Sequence, residues 1–243
     1  MRRYFITFAY DGTAYHGWQV QPNGNTVQAE LERALSLLLG ETATVVGAGR
    51  TDTGVHARKM VAHFDSEAPF DCATLAYKLN RLLPRDISVA GVEPVEPDKH
   101  ARFSATERTY HYYIHTDKEP FLRFYSCELR YPLDFGAMNE AAARLLDYDD
   151  FGAFCKSHAD VKTTRCRVTC ARWVQLSPVA WRFEISANRF LRNMVRAVVG
   201  TLIEVGRGHM SVDDFCRVVE GGRRTAAGES MPANALFLVD IKY

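Results

Sequence analysis

One order of elements occurs twice along the chain, and it narrows the possible folds more than any other feature. RRYFITFAY (2–10) alternates as a strand. Residues 26–39 carry Leu31, Ala34, Leu35 and Leu38 at helical spacing, with Asn25 and Gln28 placed as a capping box and Gly40 as the stop. A strand near 42–48, a strand at 59–65, a helix near 72–83 stopped by Pro84 and a strand at 87–95 complete a β-α-β-β-α-β unit. The order then starts again. RTYHYYIHT (108–116) is a strand and 134–147 a helix, and RCRVTCARWVQL (165–176) and AWRFEISA (180–187) are strands joined by a tight SPV turn. A long helix over about 190–205, a short one from Ser211 with Asp214 as its capping partner, and the strand LFLVDIKY (236–243) close the series. The expected fold class is α/β of the α+β kind: two ferredoxin-like β-α-β-β-α-β halves with mixed antiparallel sheets forming a central cleft. The division falls in EPDKHARFSA, giving an N-terminal half of residues 1–104 and a C-terminal half of residues 105–243.

Such sheets host many functions, so the chemistry has to come from particular residues. With 243 residues, 47% of them apolar, the chain can bury a substantial core, and its formal charge of +1 excludes a globally basic protein. The arginines are nevertheless clustered. Arg189, Arg192 and Arg196 lie close together, and Lys156, Lys162, Arg165, Arg167 and Arg172 form a second basic stretch suited to phosphate. Cys72, Cys127, Cys155, Cys166, Cys170 and Cys216 form no C-x-x-C pair and no zinc spacing; most lie within apolar patterns and read as small buried residues, and nothing suggests a disulfide framework. MRRYFITFAY is neither a signal peptide nor a membrane span, and no apolar run approaches the ~18 residues that a spanning helix needs. A soluble, cytoplasmic protein is expected.

The loop GRTDTGVHA (49–57) is the unusual segment. It sits between two apolar runs that read as strands, TVVGAG and MVAHFD, and Gly49 and Gly54 permit a shaped backbone. It places one carboxylate, Asp52, between Arg50 and Arg58. Asp52, His56 and His63 could be drawn as a metal cluster, but the D-x-x-x-H spacing is not a metal signature, and His56 reads instead as a hydrogen-bonding anchor of the loop. Further on, Tyr110 and Tyr112 share one face of their strand and Tyr113 takes the other. Aromatics beside cations on a sheet suit RNA. A non-catalytic RNA-binding module gives no reason for a carboxylate flanked by arginines, and it would carry an aromatic RNP-type strand that is missing here. A two-metal nuclease needs clustered carboxylates, and after Asp52 the next acid is Asp65.

The motifs together resemble one family. GRTDTGVHA is similar to the catalytic-aspartate loop of the TruA-type tRNA pseudouridine synthases, and YDGTAYHGWQVQ (10–21) to their N-terminal segment. SATERTYHYYI (104–114) resembles the strand with the family's active-site tyrosine, ANRFLRNMVRAVVGTLIEVGRG (187–208) the helix with its active-site arginine, and LFLVDIKY its closing strand. Thr53 departs from the alanine common there and changes no ionisable group. The resemblance implies isomerisation of uridine to pseudouridine at positions 38, 39 and 40 of the tRNA anticodon stem-loop, by a homodimer, with no cofactor and no metal. It implies Asp52 as the nucleophile, Arg196 as the cation that keeps it ionised, and Tyr110 as the platform for a flipped uracil and a participant in proton transfer at C5. Arg50 is assigned to base flipping or the displaced backbone, Arg58 to phosphate, and Leu238 to packing under the base. Three roles fit the carboxylate: attack at C1′, addition at C6, or removal of a sugar proton.

Overall fold

The computed structural model describes residues 1–22, 24–156 and 162–243. Positions 157–161 of the second basic stretch therefore lie outside the described residues. In chain order the elements are β1 (Arg2–Tyr10), α1 (Val27–Leu39), β2 (Val46–Gly47), β3 (His56–Ser66), α2 (Cys72–Leu82), β4 (Ile87–Val95), β5 (Glu107–His115), β6 (Cys127–Glu128), α3 (Phe135–Arg144), β7 (Val168–Ser177), β8 (Ala180–Ala187), α4 (Met194–Gly206), α5 (Val212–Gly221) and β9 (Leu236–Lys242). They form a mixed α/β fold of two units, Met1–Thr106 with Phe237–Tyr243, and Glu107–Leu236.

In the first unit β1 is central and antiparallel to both β3 and β4, while β2 pairs with β3, giving the ferredoxin-like order β4-β1-β3-β2. The register sets Tyr4, Ile6 and Phe8 opposite Phe64, Ala62 and Met60. All six are buried, as are Leu31 and Leu35 of α1 and Leu75 and Leu79 of α2. Burying each large apolar side chain of this kind contributes about 1.5–3 kcal/mol. The closing strand belongs with this unit, whereas chain order alone assigns it to the second half. β9 runs parallel to β3, with Phe237 and Leu238 opposite His56 and Ala57, and the Tyr243 hydroxyl donates to the Ala101 carbonyl at 2.8 Å.

Local chemistry moves some boundaries. The cap of α1 is Thr26, whose side chain accepts from the Ala29 amide at 3.3 Å, rather than Asn25. Asn25 lies outside the helix, its carbonyl accepting from the His16 amide, and Gln28 spends its amide group on the Val20 N–H and the Val45 carbonyl. The stop at Gly40 is as expected, with φ of 72°. The strand anticipated at 42–48 pairs only at Val46 and Gly47. The capping box of Ser211 and Asp214 is present. The long helix begins at Met194 instead of 190, because Asn193 takes a left-handed φ of 68° that no helix continues through.

In the second unit β8 lies between β5 and β7, antiparallel to both, and β6 pairs parallel with the end of β5. Tyr110, Tyr112 and Ile114 face Ile185, Phe183 and Trp181 across the β5–β8 ladder. Trp181 stacks on Phe135 of α3 with centroids 3.6 Å apart, so this is the helix-covered side of the sheet. Tyr112 is completely buried and donates its hydroxyl to the Pro232 carbonyl at 2.9 Å, which makes it a core residue. On the other face Glu184 is gripped by Arg172 and Arg182, whose charges outweigh burial and hold its carboxyl below the usual range. Among the described residues all six cysteines are free thiols, and no helix is long and apolar enough to cross a membrane.

His63 on β3 is buried, and its Nδ1 accepts from the Ala101 amide at 3.1 Å, tying the 96–104 segment to the sheet. Burial first, then the nearby Arg3 and His100 charges, lower its pKa from 6.5 to about 4, against a weaker opposing pull from Asp65. Between these two values the unfolded chain binds a proton that the folded chain refuses, so stability falls as pH drops through that window. Melting temperatures measured from pH 7 to 4 should decline more steeply for the native protein than for His63→Gln, which keeps an acceptor and loses the titration. Parallel curves would exclude His63 as the source.

Candidate active site

The Asp52 loop is held from below by a second loop. The Ala48 amide donates to Val61 at 2.8 Å, and the Val55 amide to the Asp52 carbonyl at 3.1 Å, closing a tight turn in which Gly54 has φ of 77°. Of the two glycines expected to need special backbone angles, only Gly54 does; Gly49 keeps an ordinary φ. The buried Thr51 hydroxyl bonds the Tyr10 hydroxyl at 2.8 Å, and the Thr51 carbonyl accepts from the Trp18 amide at 3.3 Å. Gly12 and Gly17 lie so close beneath that a Cβ on Gly12 would stand 2.0 Å from the Val55 oxygen, and one on Gly17 2.4 Å from the Thr51 oxygen. The glycines of residues 12–17 thus let two backbones touch. Sequence reasoning placed this segment in the motif but missed its function as the loop's support.

His56 is an anchor, as its position in the motif suggested. It is 1% exposed, accepts from the Gly12 amide at Nδ1 over 3.0 Å, and stacks on Phe237 with centroids 4.5 Å apart. Among the described residues no group of three or more histidine, cysteine or acidic side chains could hold a metal ion. Asp52 is half-buried and Arg50 exposed. Arg58 is exposed, with its guanidinium 5.3 Å from the Phe237 ring centre. Leu238 is buried opposite Ala57. The first unit therefore holds Asp52, Arg50, Arg58 and Leu238.

The second unit holds Tyr110 and Arg196. Tyr110 is half-buried on β5, where Phe190 meets its ring edge-on at 5.1 Å and 86°. Residues 189–191 are irregular rather than helical, and a turn at 192–193, closed by the Met194 amide on the Leu191 carbonyl at 3.1 Å, leads into α4. Arg196 lies in the first turn of α4, half-buried, and its Nε donates to the Met231 carbonyl at 2.6 Å. The segment 228–232 that supplies this carbonyl was not foreseen, and its only sequence signal is a glycine and a proline in a polar stretch. In the basic stretch, Arg165 pairs with Asp149 at 3.2 Å and Arg172 with Glu184 at 2.7 Å, so both cations already have acidic partners. A separate groove in this unit, walled by Tyr148, Asp149, Arg165, Cys166, Arg167 and Glu220, takes in two arginines of the basic stretch but none of Asp52, Arg50, Arg58, Tyr110, Arg196 and Leu238.

Comparison with known proteins decides the class. Residues 6–104 and 141–243 match the family model of tRNA pseudouridine synthase. The chain is 58% identical over 244 residues to the tRNA pseudouridine synthase A of Bacteroides fragilis, spanning all of this chain and 97% of that protein. The chain belongs to the tRNA pseudouridine synthase family. It is an enzyme, an isomerase. The protein of the same name from Bacteroides thetaiotaomicron is 56% identical over 245 residues, and that of Acetivibrio thermocellus is 40% identical with both chains covered in full. The two matched ranges each contain one β-α-β-β-α-β series in whole or in part, and they include Asp52, Arg196 and Leu238. Tyr110 falls in the interval that the family model skips, although the full-length alignments include it. In this tRNA pseudouridine synthase the Asp52 carboxylate sits on a loop braced by backbone contacts.

Proposed function

We propose that this protein isomerises uridine to pseudouridine at positions 38, 39 and 40 in the anticodon stem-loop of tRNA, with Asp52 as nucleophile. The observation that carries the reading is identity of 58% over the whole chain to a tRNA pseudouridine synthase A. The reaction breaks the N1–C1′ bond, turns the uracil and forms C5–C1′, while C5 loses a proton and N1 gains one. Atoms and electrons balance within the substrate, so the stoichiometry calls for no redox partner and no cofactor. Arg196 supplies the positive charge that balances the Asp52 carboxylate during the reaction. Tyr110 stacks on the flipped uracil, with its hydroxyl near C5, and Leu238 packs under the base. Arg50 assists flipping or holds the displaced backbone, and Arg58 contacts phosphate, contributing affinity rather than sequence choice. The enzyme works in the cytoplasm as a homodimer.

Tritium release from tRNA labelled at uridine C5 tests this reading, with EDTA present. Three transcripts, each keeping uridine at only one of positions 38, 39 and 40, should all release label. Tight tRNA binding without release would overturn the catalytic reading. Release from uridines outside the anticodon stem-loop alone would overturn the assigned positions.

A further inference from the structure

Arg196 is a long side chain whose position is set by a strap of backbone, and the strap is itself clamped. Residues 228–232 cross α4 in direct backbone contact. A Cβ on Gly200 would stand 1.8 Å from the Glu229 oxygen, and one on Gly228 would stand 2.8 Å from Gly200, so only glycine at both positions allows the crossing. The Gly228 amide donates to the buried Thr201 hydroxyl at 2.9 Å, which in turn donates to the Ala197 carbonyl at 2.8 Å. Two residues further on, two donors converge on the Ser230 hydroxyl oxygen: Asn193 Nδ2 at 2.5 Å and Arg224 Nη2 at 2.9 Å. Arg224 also donates from Nη1 to the Gly228 carbonyl at 3.0 Å. The next residue is Met231, whose amide donates to the Arg196 carbonyl at 3.2 Å and whose carbonyl accepts from Arg196 Nε at 2.6 Å. Pro232 then takes the Tyr112 hydroxyl at 2.9 Å.

This is more fixing than a connecting segment needs. A guanidinium bonded through Nε has its plane set, and its two terminal nitrogens point in a defined direction. Asn193 supports the same end twice: its left-handed backbone, with φ of 68°, starts α4 three residues before Arg196, and its amide holds Ser230.

We propose that Arg224 and Asn193, acting through Ser230, are positioning residues that set the Arg196 guanidinium for the isomerisation. The inference rests on the reading that Arg196 serves the reaction. Its test is a double-mutant cycle in single-turnover tritium release from C5-labelled tRNA, with tRNA affinity and melting temperature measured alongside. Asn193→Gly keeps the left-handed backbone and removes the amide, while Arg224→Gln and Ser230→Ala remove the other two partners. Each should slow the single-turnover rate by about 10- to 100-fold, the loss expected when a reacting group shifts by about 1 Å, with tRNA affinity unchanged. Arg224→Lys, which can restore one of the bonds, should recover part of the rate. In an Arg196→Lys background the same substitutions should slow the reaction by less than about 2-fold, since the group they position is gone. Full multiplication of the effects in that background would overturn the proposal, as would losses confined to melting temperature or tRNA affinity. If Arg196→Lys itself reacts at the native rate, the reading of Arg196 has failed and takes the proposal with it. Should Arg196→Lys be slow and the effects multiply, the positioning role alone has failed.

Discussion

Replacing Asp52 with asparagine should stop tritium release while leaving a folded protein that binds tRNA. Asparagine matches the carboxylate in shape and lacks its charge and nucleophilicity. Asparagine keeps the loop-shaping bonds that run through the Asp52 carbonyl, the Thr51 hydroxyl and carbonyl, and the Gly54 turn. Affinity for tRNA comes chiefly from cations against phosphates, and Asp52 supplies none. The expected loss is at least about 10⁴-fold, the scale seen when a nucleophile is removed and binding remains. Asp52→Glu keeps the charge and moves it by one methylene. It should still lose about 10²-fold, because placement matters as much as ionisation. An Asp52→Asn protein that kept a few per cent of native turnover would remove Asp52 from the chemistry.

Gly17→Ala should damage the same reaction from beneath. Its φ of 89° strains any residue with a side chain, at about 1–3 kcal/mol. The new Cβ would also stand 2.4 Å from the Thr51 carbonyl oxygen, a collision with backbone that cannot rotate away. Thr51 must then move, carrying Asp52 with it and loosening the Trp18 bond. The melting temperature should fall by roughly 5–10 °C, given about 2–4 °C per kcal/mol for a chain of this size, and turnover by about 10²-fold. Gly208→Ala separates the two causes. Gly208 has a similar φ of 73° but nothing within 4 Å of its added Cβ, so it should lose stability through strain alone and keep full turnover. Equal losses of turnover in both variants would show that collision with the Asp52 loop is not the mechanism.

The element order was legible because burial imposes period two on strands and 3.6 on helices, and both periods run clearly through the apolar residues. Gly40 and the Ser211 box were legible because caps act over three or four residues. What escaped reading depended on distant partners. Asn25 and Thr26 are equally good caps by type, and the choice between them was made by His16, which claims the Asn25 carbonyl. Tyr110 and Tyr112 look alike in sequence and share a face, yet only Tyr112 is sealed in the core, by Phe183 opposite and Pro232 beyond. The start of α4 depended on one left-handed asparagine. Among the proposed site residues, Asp52 stood out because a lone acid between arginines in a glycine loop is unusual. The Met231 carbonyl could not stand out, since a backbone oxygen leaves no mark in side-chain chemistry.

The pairing of β9 with β3 also constrains how the protein is made. Lys59 and Asp240, joined at 2.6 Å, are 181 positions apart in sequence. Ribosomes add about 5–20 residues per second, so roughly 10–35 s separate the emergence of these partners. Throughout that interval the edge of β3 nearest the Asp52 loop has no β9 to pair with, and His56 has no Phe237 to stack against. The first unit to emerge is thus among the last to be completed. A nascent chain carries its loop aspartate long before it carries the strand that flanks it, and vectorial synthesis delays assembly of that loop's surroundings until the second unit has been translated.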